Sequence, residues 1–310
     1  MESGYLEART SGSTGSPKII RLPQQMVRAS AWRTINFFGL TAESHLHSCI
    51  SPEFIGGKMM VIRALELGCT LTYEPPSNRP VIGDQPVDLL AVVPSMMWDL
   101  VKRQAEGNLP EIRNIIIGGA PVPPPLRSAI AESGLNSFET YGMTETASHI
   151  ALRKVSNEDD THFYPLDGIR INTDPRGCLA IEIEGISDRI VTNDIAEISA
   201  DGGFLILGRA DNVIITGGRK VFPEQIERKI SHLINGDFII SSRPSEKWGE
   251  ELIIIAEYDQ DLDKSTVLEI FKNILAPHER PRDILTEKLE RTTSGKVIRK
   301  KLSGSGNKSS

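Results

Sequence analysis

The 310-residue chain has little cysteine, no excess of positive charge and no long apolar run. Cys49, Cys69 and Cys178 are odd in number, scattered and in no metal-ligand spacing, so they read as reduced, buried thiols of a reducing compartment. The net charge of −6 argues against a nucleic-acid binder, which would be basic. No apolar stretch approaches the ~20 residues needed to span a bilayer. The N-terminus, Met1-Glu2-Ser3-Gly4-Tyr5-Leu6-Glu7, carries acid where a signal peptide has a basic flank and an apolar core. A cytoplasmic location is therefore expected.

What is present is a globular composition and enough length for two domains at about 150 residues each. A helix is expected after Pro23, with Val27, Ala31, Ile35 and Phe38 on one face and Gly39 at its end. A second is expected over Met59–Leu67, and a third over Leu126–Glu132. Leu89–Val93 and Ile112–Ile117 are short apolar runs that end at Pro94 and at Gly118-Gly119, as buried strands of a parallel sheet do. Alternation of such strands with helices predicts an α/β layered domain. After residue 160 the pattern turns to alternating strands, at Cys178–Glu184, Ile190–Glu197 and Phe204–Leu207, the last two joined through Asp201-Gly202-Gly203. Beyond Arg209 a smaller α/β unit is expected, with helices over Pro223–Ile234 and Ser265–Leu275 and a strand over Leu252–Glu257. Residues 302–310 are Gly, Ser, Asn and Lys after Leu302 and are expected to be disordered.

Three segments carry recognisable chemistry. Thr10–Lys18 reads Thr-Ser-Gly-Ser-Thr-Gly-Ser-Pro-Lys, a loop whose N–H and O–H donors can wrap the β- and γ-phosphates of ATP. It is not a P-loop, because Pro17 stands directly before Lys18 where a P-loop needs Gly. Alone, these residues suit a solvated Ser/Gly loop equally well. Tyr141-Gly142-Met143-Thr144-Glu145-Thr146 is more specific, although Thr-Glu-Thr alone suits a helix start. Thr292-Thr293-Ser294-Gly295-Lys296 lies in a run with Lys288, Arg291 and Arg299–Lys301, which by itself reads as a solvated basic stretch.

In this order the three segments resemble the signature set of the acyl-adenylate-forming, or AMP-binding, enzyme superfamily. The likeness runs from Tyr5 to about Leu302. It implies a large N-terminal α/β domain with a β subdomain over 1–208, a small mobile α/β lid over 209–303 and a tail over 304–310. Only nine residues precede the phosphate loop, so the large domain is expected to be N-terminally short.

The implied reaction uses ATP, Mg²⁺ and CoA to turn a small carboxylic acid into an acyl-AMP and then an acyl-CoA. By resemblance, Thr10, Ser11, Ser13, Thr14 and Lys18 hold phosphates, and Gly119 and Ala120 in Gly118-Gly119-Ala120-Pro121 border the adenine. Tyr141 packs against adenine, Thr144 holds the α-phosphate and Glu145 ligates Mg²⁺, a cation that takes few carboxylates beside substrate phosphate oxygens. Asp194, in Thr192-Asn193-Asp194, binds the ribose with Arg209. Asn193 stands where the family has Gly, and both tolerate positive φ. Asp211 is the hinge, Gly217 and Gly218 line the CoA tunnel, and Lys296 stabilises charge on the attacked carboxylate.

Within the superfamily the wording resembles the o-succinylbenzoate–CoA ligase family of menaquinone biosynthesis. The segments concerned are Glu145–His149, Val191–Asp194, Gly208–Ile214 and the pocket loop Pro52–Met60, where Ile55 stands near the place of a common His. Lys58, Gly142 and Ser148 are the candidate acyl-pocket residues, with His149 nearby. A ligase for another aryl or alkyl acid, a non-catalytic nucleotide-binding homologue and a carrier-loading adenylation domain are the alternatives. The oligomeric state is not legible.

Overall fold

The apolar run Leu89–Val92 lies in the middle of a seven-stranded sheet, and its side chains alternate between two cores. Leu89 and Ala91 face one, Leu90 and Val92 the other, which is why the run shows no polar face. The computed structural model describes residues 4–9, 18–157, 162–234, 236–257, 264–291 and 297–299.

The chain begins with an antiparallel pair, β1 (Tyr5–Arg9) and β2 (Ile19–Pro23), whose register joins Arg9 to Ile19. Then follow α1 (Gln24–Phe38), β3 (His45–Ser48), α2 (Ile55–Leu67), β4 (Thr70–Tyr73), β5 (Leu89–Val92), α3 (Pro94–Ala105), β6 (Ile115–Ile117), α4 (Pro124–Ser133), β7 (Ser137–Met143), β8 (Ser148–Lys154) and β9 (Tyr164–Pro165). The sheet order is β4-β3-β5-β6-β7-β8-β9, parallel from β4 to β7 and antiparallel at β8 and β9. Helices α1 and α2 pack on one face around Ala31, Ile35, Met59 and Met60, and α3 and α4 on the other around Met97, Leu100, Leu126 and Ile130. Each of these Ile, Leu and Met side chains, fully buried, stabilises the layers by about 1.5–3 kcal/mol.

A four-stranded antiparallel sheet follows, from β10 (Ile169–Thr173), β11 (Cys178–Ile183), β12 (Ile190–Ile198) and β13 (Phe204–Arg209). Leu179, Ile181, Ile183 and Phe204 join the first core. The last sheet contains β14 (Ile214–Thr216), β15 (Arg219–Val221), β16 (Phe238–Ser245), β17 (Gly249–Ala256) and β18 (Asp283–Thr286), with α5 (Pro223–Ile230) and α6 (Lys264–Ile274) on one face.

Several boundaries differ from the sequence expectations. Helix α2 starts at Ile55, not Met59, so Lys58 sits in its first turn. Ile112 is outside β6 and pairs singly with Val87. Helix α5 stops at Ile230, and Leu233 follows in a turn closed by its N–H to Ile230 O at 2.9 Å. Cys49 and Cys178 are buried thiols, but Cys69 is only half-buried. Helix α1 ends as read: Gly39 takes φ 61°, and its N–H and that of Leu40 close on Asn36 and Ile35.

Candidate functional site

Asp194 on β12 and Arg209 on β13 are direct cross-strand partners, so the antiparallel register itself brings them together. Arg209 Nη1 donates to Asp194 Oδ1 at 3.1 Å, and the Tyr141 hydroxyl donates to Oδ2 at 2.7 Å. The N–H of Asp194 is held by Thr192 Oγ1 at 3.0 Å. The Tyr141 ring sits against Phe204 and Phe163, with centroids 5.2 and 5.8 Å away. Burial, and then the charge of Asp194, push the phenol well above its ordinary range, so Tyr141 is a neutral donor. Asp211 joins the group through Asn193 Nδ2 at 3.0 Å and Arg209 Nη2 at 3.5 Å. A carboxylate accepts about four hydrogen bonds, so Asp194 keeps acceptor capacity for a further hydroxyl.

Between β7 and β8 the chain makes a tight turn over Thr144–Thr146. The next two residues take positive φ, Ala147 at 54° and Ser148 at 96°, each a cost of about 1–3 kcal/mol for a non-glycine. Buried contacts enforce the strain. The Thr146 hydroxyl donates to Ser148 O at 2.6 Å and accepts the Met143 N–H at 3.0 Å, and Ser30 Oγ donates to Ala147 O at 2.7 Å. Glu145 is exposed at the apex, and among the described residues its carboxylate has no hydrogen-bond or ion-pair partner. A hard, unpaired oxygen ligand of this kind fits Mg²⁺. Gly142 has a backbone reason for being glycine: a Cβ there would lie 2.3 Å from Ser148 O.

Sequence reasoning missed Glu139. Its buried carboxylate accepts Arg127 Nη2 at 2.6 Å, Arg153 Nε at 2.9 Å and the backbone N–H of Val122 at 3.1 Å. The last bond ties down the Gly118–Pro121 segment, in which Gly119 takes φ 86° and Ala120 is exposed. Arg153 also lies over the Phe163 ring at 4.3 Å, so one ion network supports both this loop and the aromatic wall behind Tyr141.

Arg63 was missed as well. It lies on the inner stripe of α2 with Met60 and Ala64 and is 1 % exposed. Its Nη1 reaches only Met60 Sδ, at 3.5 Å, and Nε and Nη2 have no partner. Burial without a counter-ion lowers its pKa to about 9. His149 is buried close by, its Nε2 2.9 Å from Thr34 Oγ1, and burial together with the Arg63 charge holds it neutral. His149 is thus turned into the core. The signal for Arg63 was a lone cation on an apolar helical stripe.

Gly217 and Gly218 take φ 55° and 76° in the turn between β14 and β15. A Cβ on Gly217 would press to 3.1 Å on the Trp248 ring. Beside it opens a pocket of about 290 Å³ whose lining includes Gly217, Arg219, Trp248, Glu251, His278, Arg280 and Arg282. Lys18 is exposed at the start of β2, and Lys58 is half-buried on α2. Thr10, Ser11, Ser13, Thr14 and Lys296 lie outside the described residues. Their flanks are fixed: Arg9 pairs with Ile19, and Arg291 with Val297.

Residues 10–173 match the model of the AMP-binding enzyme family. A 2-succinylbenzoate–CoA ligase of Bacillus cereus (strain AH820) is 25 % identical over 328 residues, covering 94 % of this chain and 68 % of that one. A ligase of the same name from Listeria monocytogenes serotype 4b is 26 % identical over 321 residues, with the same coverage. An acyl-CoA synthetase (AMP-forming)/AMP-acid ligase II-like protein of Dyadobacter fermentans is 29 % identical, with a TM-score of 0.63 over 96 % of this chain and 88 % of that one. The fold of Bacillus subtilis O-succinylbenzoate Coenzyme A Synthetase (MenE), in complex with ATP and magnesium ion, is shared at a TM-score of 0.81 and 22 % identity, over 94 % and 68 % of the two chains. With more than half its length matched by the family model and the adenylate-forming fold around Tyr141, Asp194 and Arg209, the chain belongs to the AMP-binding enzyme family.

Proposed function

We propose that the protein is an AMP-forming acid–CoA ligase acting on an acid that carries a second carboxylate, with o-succinylbenzoate the leading substrate, a step of menaquinone biosynthesis. The observation that carries the substrate class is Arg63: a buried guanidinium with two unpartnered nitrogens is costly unless an anion reaches it. The named relatives support the same acid.

In this reading Asp194 and Arg209 hold the ribose and Tyr141 walls the adenine, while Gly119 and Ala120 border it. Thr10, Ser11, Ser13, Thr14 and Lys18 cradle the phosphates. Mg²⁺ neutralises phosphate charge when bound, and Glu145 would hold it. The substrate carboxylate oxygen attacks the α-phosphorus, its bond to pyrophosphate breaks, and Thr144 and Lys296 steady the charge. The unit beyond Asp211 then turns as a lid, bringing Gly217 and Gly218 to the site. CoA sulfur attacks the acyl carbon, its proton is lost and AMP leaves. The pocket at Arg219, Arg280 and Arg282 suits the phosphates of CoA, with Trp248 for its base.

The test is acid-dependent AMP release over aryl and alkyl mono- and dicarboxylic acids, with and without CoA. Turnover confined to dicarboxylic aryl acids supports the assignment. Preference for a monocarboxylic acid moves it to another acid, and no AMP with any acid leaves a non-catalytic nucleotide binder.

A further inference from the structure

At the C-terminal ends of the parallel strands β3 and β4, three potential metal ligands converge. They are His47, Cys49 and Glu74, whose ligand atoms lie within 4.8 Å of one another. His47 and Cys49 are two residues apart and project to the same side of the chain. They are 4 % and 0 % exposed. The spacing of the cysteines along the sequence gave no hint of this, because the cluster draws His47 from β3 and Cys49 and Glu74 from the loops just after β3 and β4.

The hydrogen bonds dictate the proton positions. Pro86 O can only accept, so His45 Nδ1, 2.8 Å away, carries a hydrogen. In that tautomer His45 presents a bare Nε2 to Thr72 Oγ1 at 2.7 Å, closer than the hydroxyl's other acceptor, Leu46 O at 3.5 Å, and the hydroxyl donates its one proton there. Thr72 Oγ1 must therefore accept from His47 Nδ1, also at 2.7 Å. That leaves His47 Nε2 as a lone pair. It is buried, has no hydrogen-bond partner and lies 3.8 Å from Glu74 Oε1. The Glu74 carboxylate is held in place by the N–H of Val81 at 2.7–2.8 Å. Two acceptors thus face one another beside a thiol with a single proton to offer. A cation answers all three.

We propose that His47 Nε2, Cys49 Sγ and Glu74 bind a borderline-soft divalent ion of the Zn²⁺ class, with a fourth position open to water. Imidazole, thiolate and carboxylate ligands at about 2.0–2.3 Å from such an ion lie within a few ångströms of each other, close to what the cluster already shows. The Cys49 proton leaves to solvent on binding. The Nδ1–H···Thr72 bond is the outer-shell contact that orients a ligating His. The ion would brace the segment from Cys49 to Phe54 that leads into α2, and so the placement of Lys58 and Arg63.

The test uses the full chain, stripped with chelator and titrated with Co²⁺ as a visible reporter. One equivalent should bind with a thiolate-to-metal charge-transfer band, and Zn²⁺ should displace it. Cys49→Ser should abolish the band with the far-ultraviolet circular dichroism unchanged. Thr72→Val, at an exposed position that does not threaten the fold, should weaken Co²⁺ binding by about 10–100-fold. A wild-type protein without the band, or a band that survives Cys49→Ser, overturns the proposal. So does a Thr72→Val variant that binds as tightly as wild type.

Discussion

The hydroxyl of Tyr141 meets Asp194 at 2.7 Å, joining the end of the parallel sheet to the four-stranded sheet. The contact fixes the carboxylate that the proposed function gives to the ribose. Tyr141→Phe keeps the ring against Phe163 and Phe204 and removes only this donor. Hydrogen bonds to a charged group are worth about 1.5–3 kcal/mol, so stability should fall by an amount of that order. The KM for ATP should rise more than kcat falls, as measured by initial rates at varied ATP. An unchanged KM would separate the contact from nucleotide binding.

Glu139 faces two arginines, both largely buried, and one backbone N–H. Removing one partner of a buried ion pair costs about 3–5 kcal/mol, because the remaining charge is left uncompensated. Glu139→Ala is therefore expected to lower the urea midpoint by that equivalent with little change in the slope. Double replacement of Glu139 and Arg127 by apolar residues should recover part of the loss. A Glu139→Ala loss below ~1 kcal/mol would show that water already screens the network.

Stability should also depend on His149. Its folded-state pKa is depressed by burial and by Arg63, so below the ordinary value of 6.5 the unfolded chain binds a proton that the folded chain does not. The contribution is complete above pH 6.5 and is lost as pH falls from there toward the folded value, with a slope of up to about 1.4 kcal/mol per unit. His149→Gln, which can still meet Thr34, should flatten chemical-denaturation stability measured from pH 7 down to pH 5.

How far the sequence discloses the molecule depends on how many neighbouring residues share a constraint. Tyr141–Thr146 is legible because a strand end, a tight turn and a proposed ligand follow one another within six residues. Leu89–Val92 is legible because both its faces are buried. By contrast β3 is His-Leu-His-Ser and β7 carries Ser137, Glu139 and Thr140, so neither shows an apolar run, and Glu139 finds its partners only across the fold. Helix α2 begins at Ile55 without a capping side chain, so its start has no local mark. Glu139 is a single residue whose partners lie at a distance in sequence, which no spacing discloses, whereas Arg63 leaves one mark, a cation on an apolar helical stripe.

Arg63 makes opposing predictions for stability and specificity. Arg63→Met replaces an unpaired buried cation with a side chain of similar length, next to Met59 and Met60. Such exchanges are neutral or stabilising by about 1–4 kcal/mol. If the guanidinium awaits the second carboxylate of the substrate, kcat/KM for a dicarboxylic acid should fall by about 100-fold, as for a lost charged hydrogen bond, with monocarboxylic acids little affected. Equal losses on both acid classes would assign Arg63 to the frame of the pocket instead.

The two half-reactions should separate between Lys296 and Asp211. Asp211 lies in the short turn over Ala210–Asn212, after the last strand of one sheet and before the first of the next, tied to Arg209 and Asn193. A few residues at such a junction absorb the φ/ψ change when one unit rotates on another. Lys296 lies far beyond this junction, and its flanking residues are anchored, Arg291 to Asp237 and Arg299 to Glu227. In the proposed reaction, a lysine carried on a rotating unit would serve the reacting carboxylate in one orientation only. Lys296→Ala should therefore depress acyl-AMP formation by about 10²–10³, the scale for losing one transition-state donor. Thioester formation from preformed acyl-AMP should stay close to wild type. Asp211→Pro fixes φ at the junction and should do the converse, leaving adenylation and stopping transfer to CoA. Single-turnover measurements with synthetic acyl-AMP distinguish the cases. Equal loss of both steps in Lys296→Ala would mean that the lysine serves a single, unmoving site, and the alternating lid would have to be abandoned.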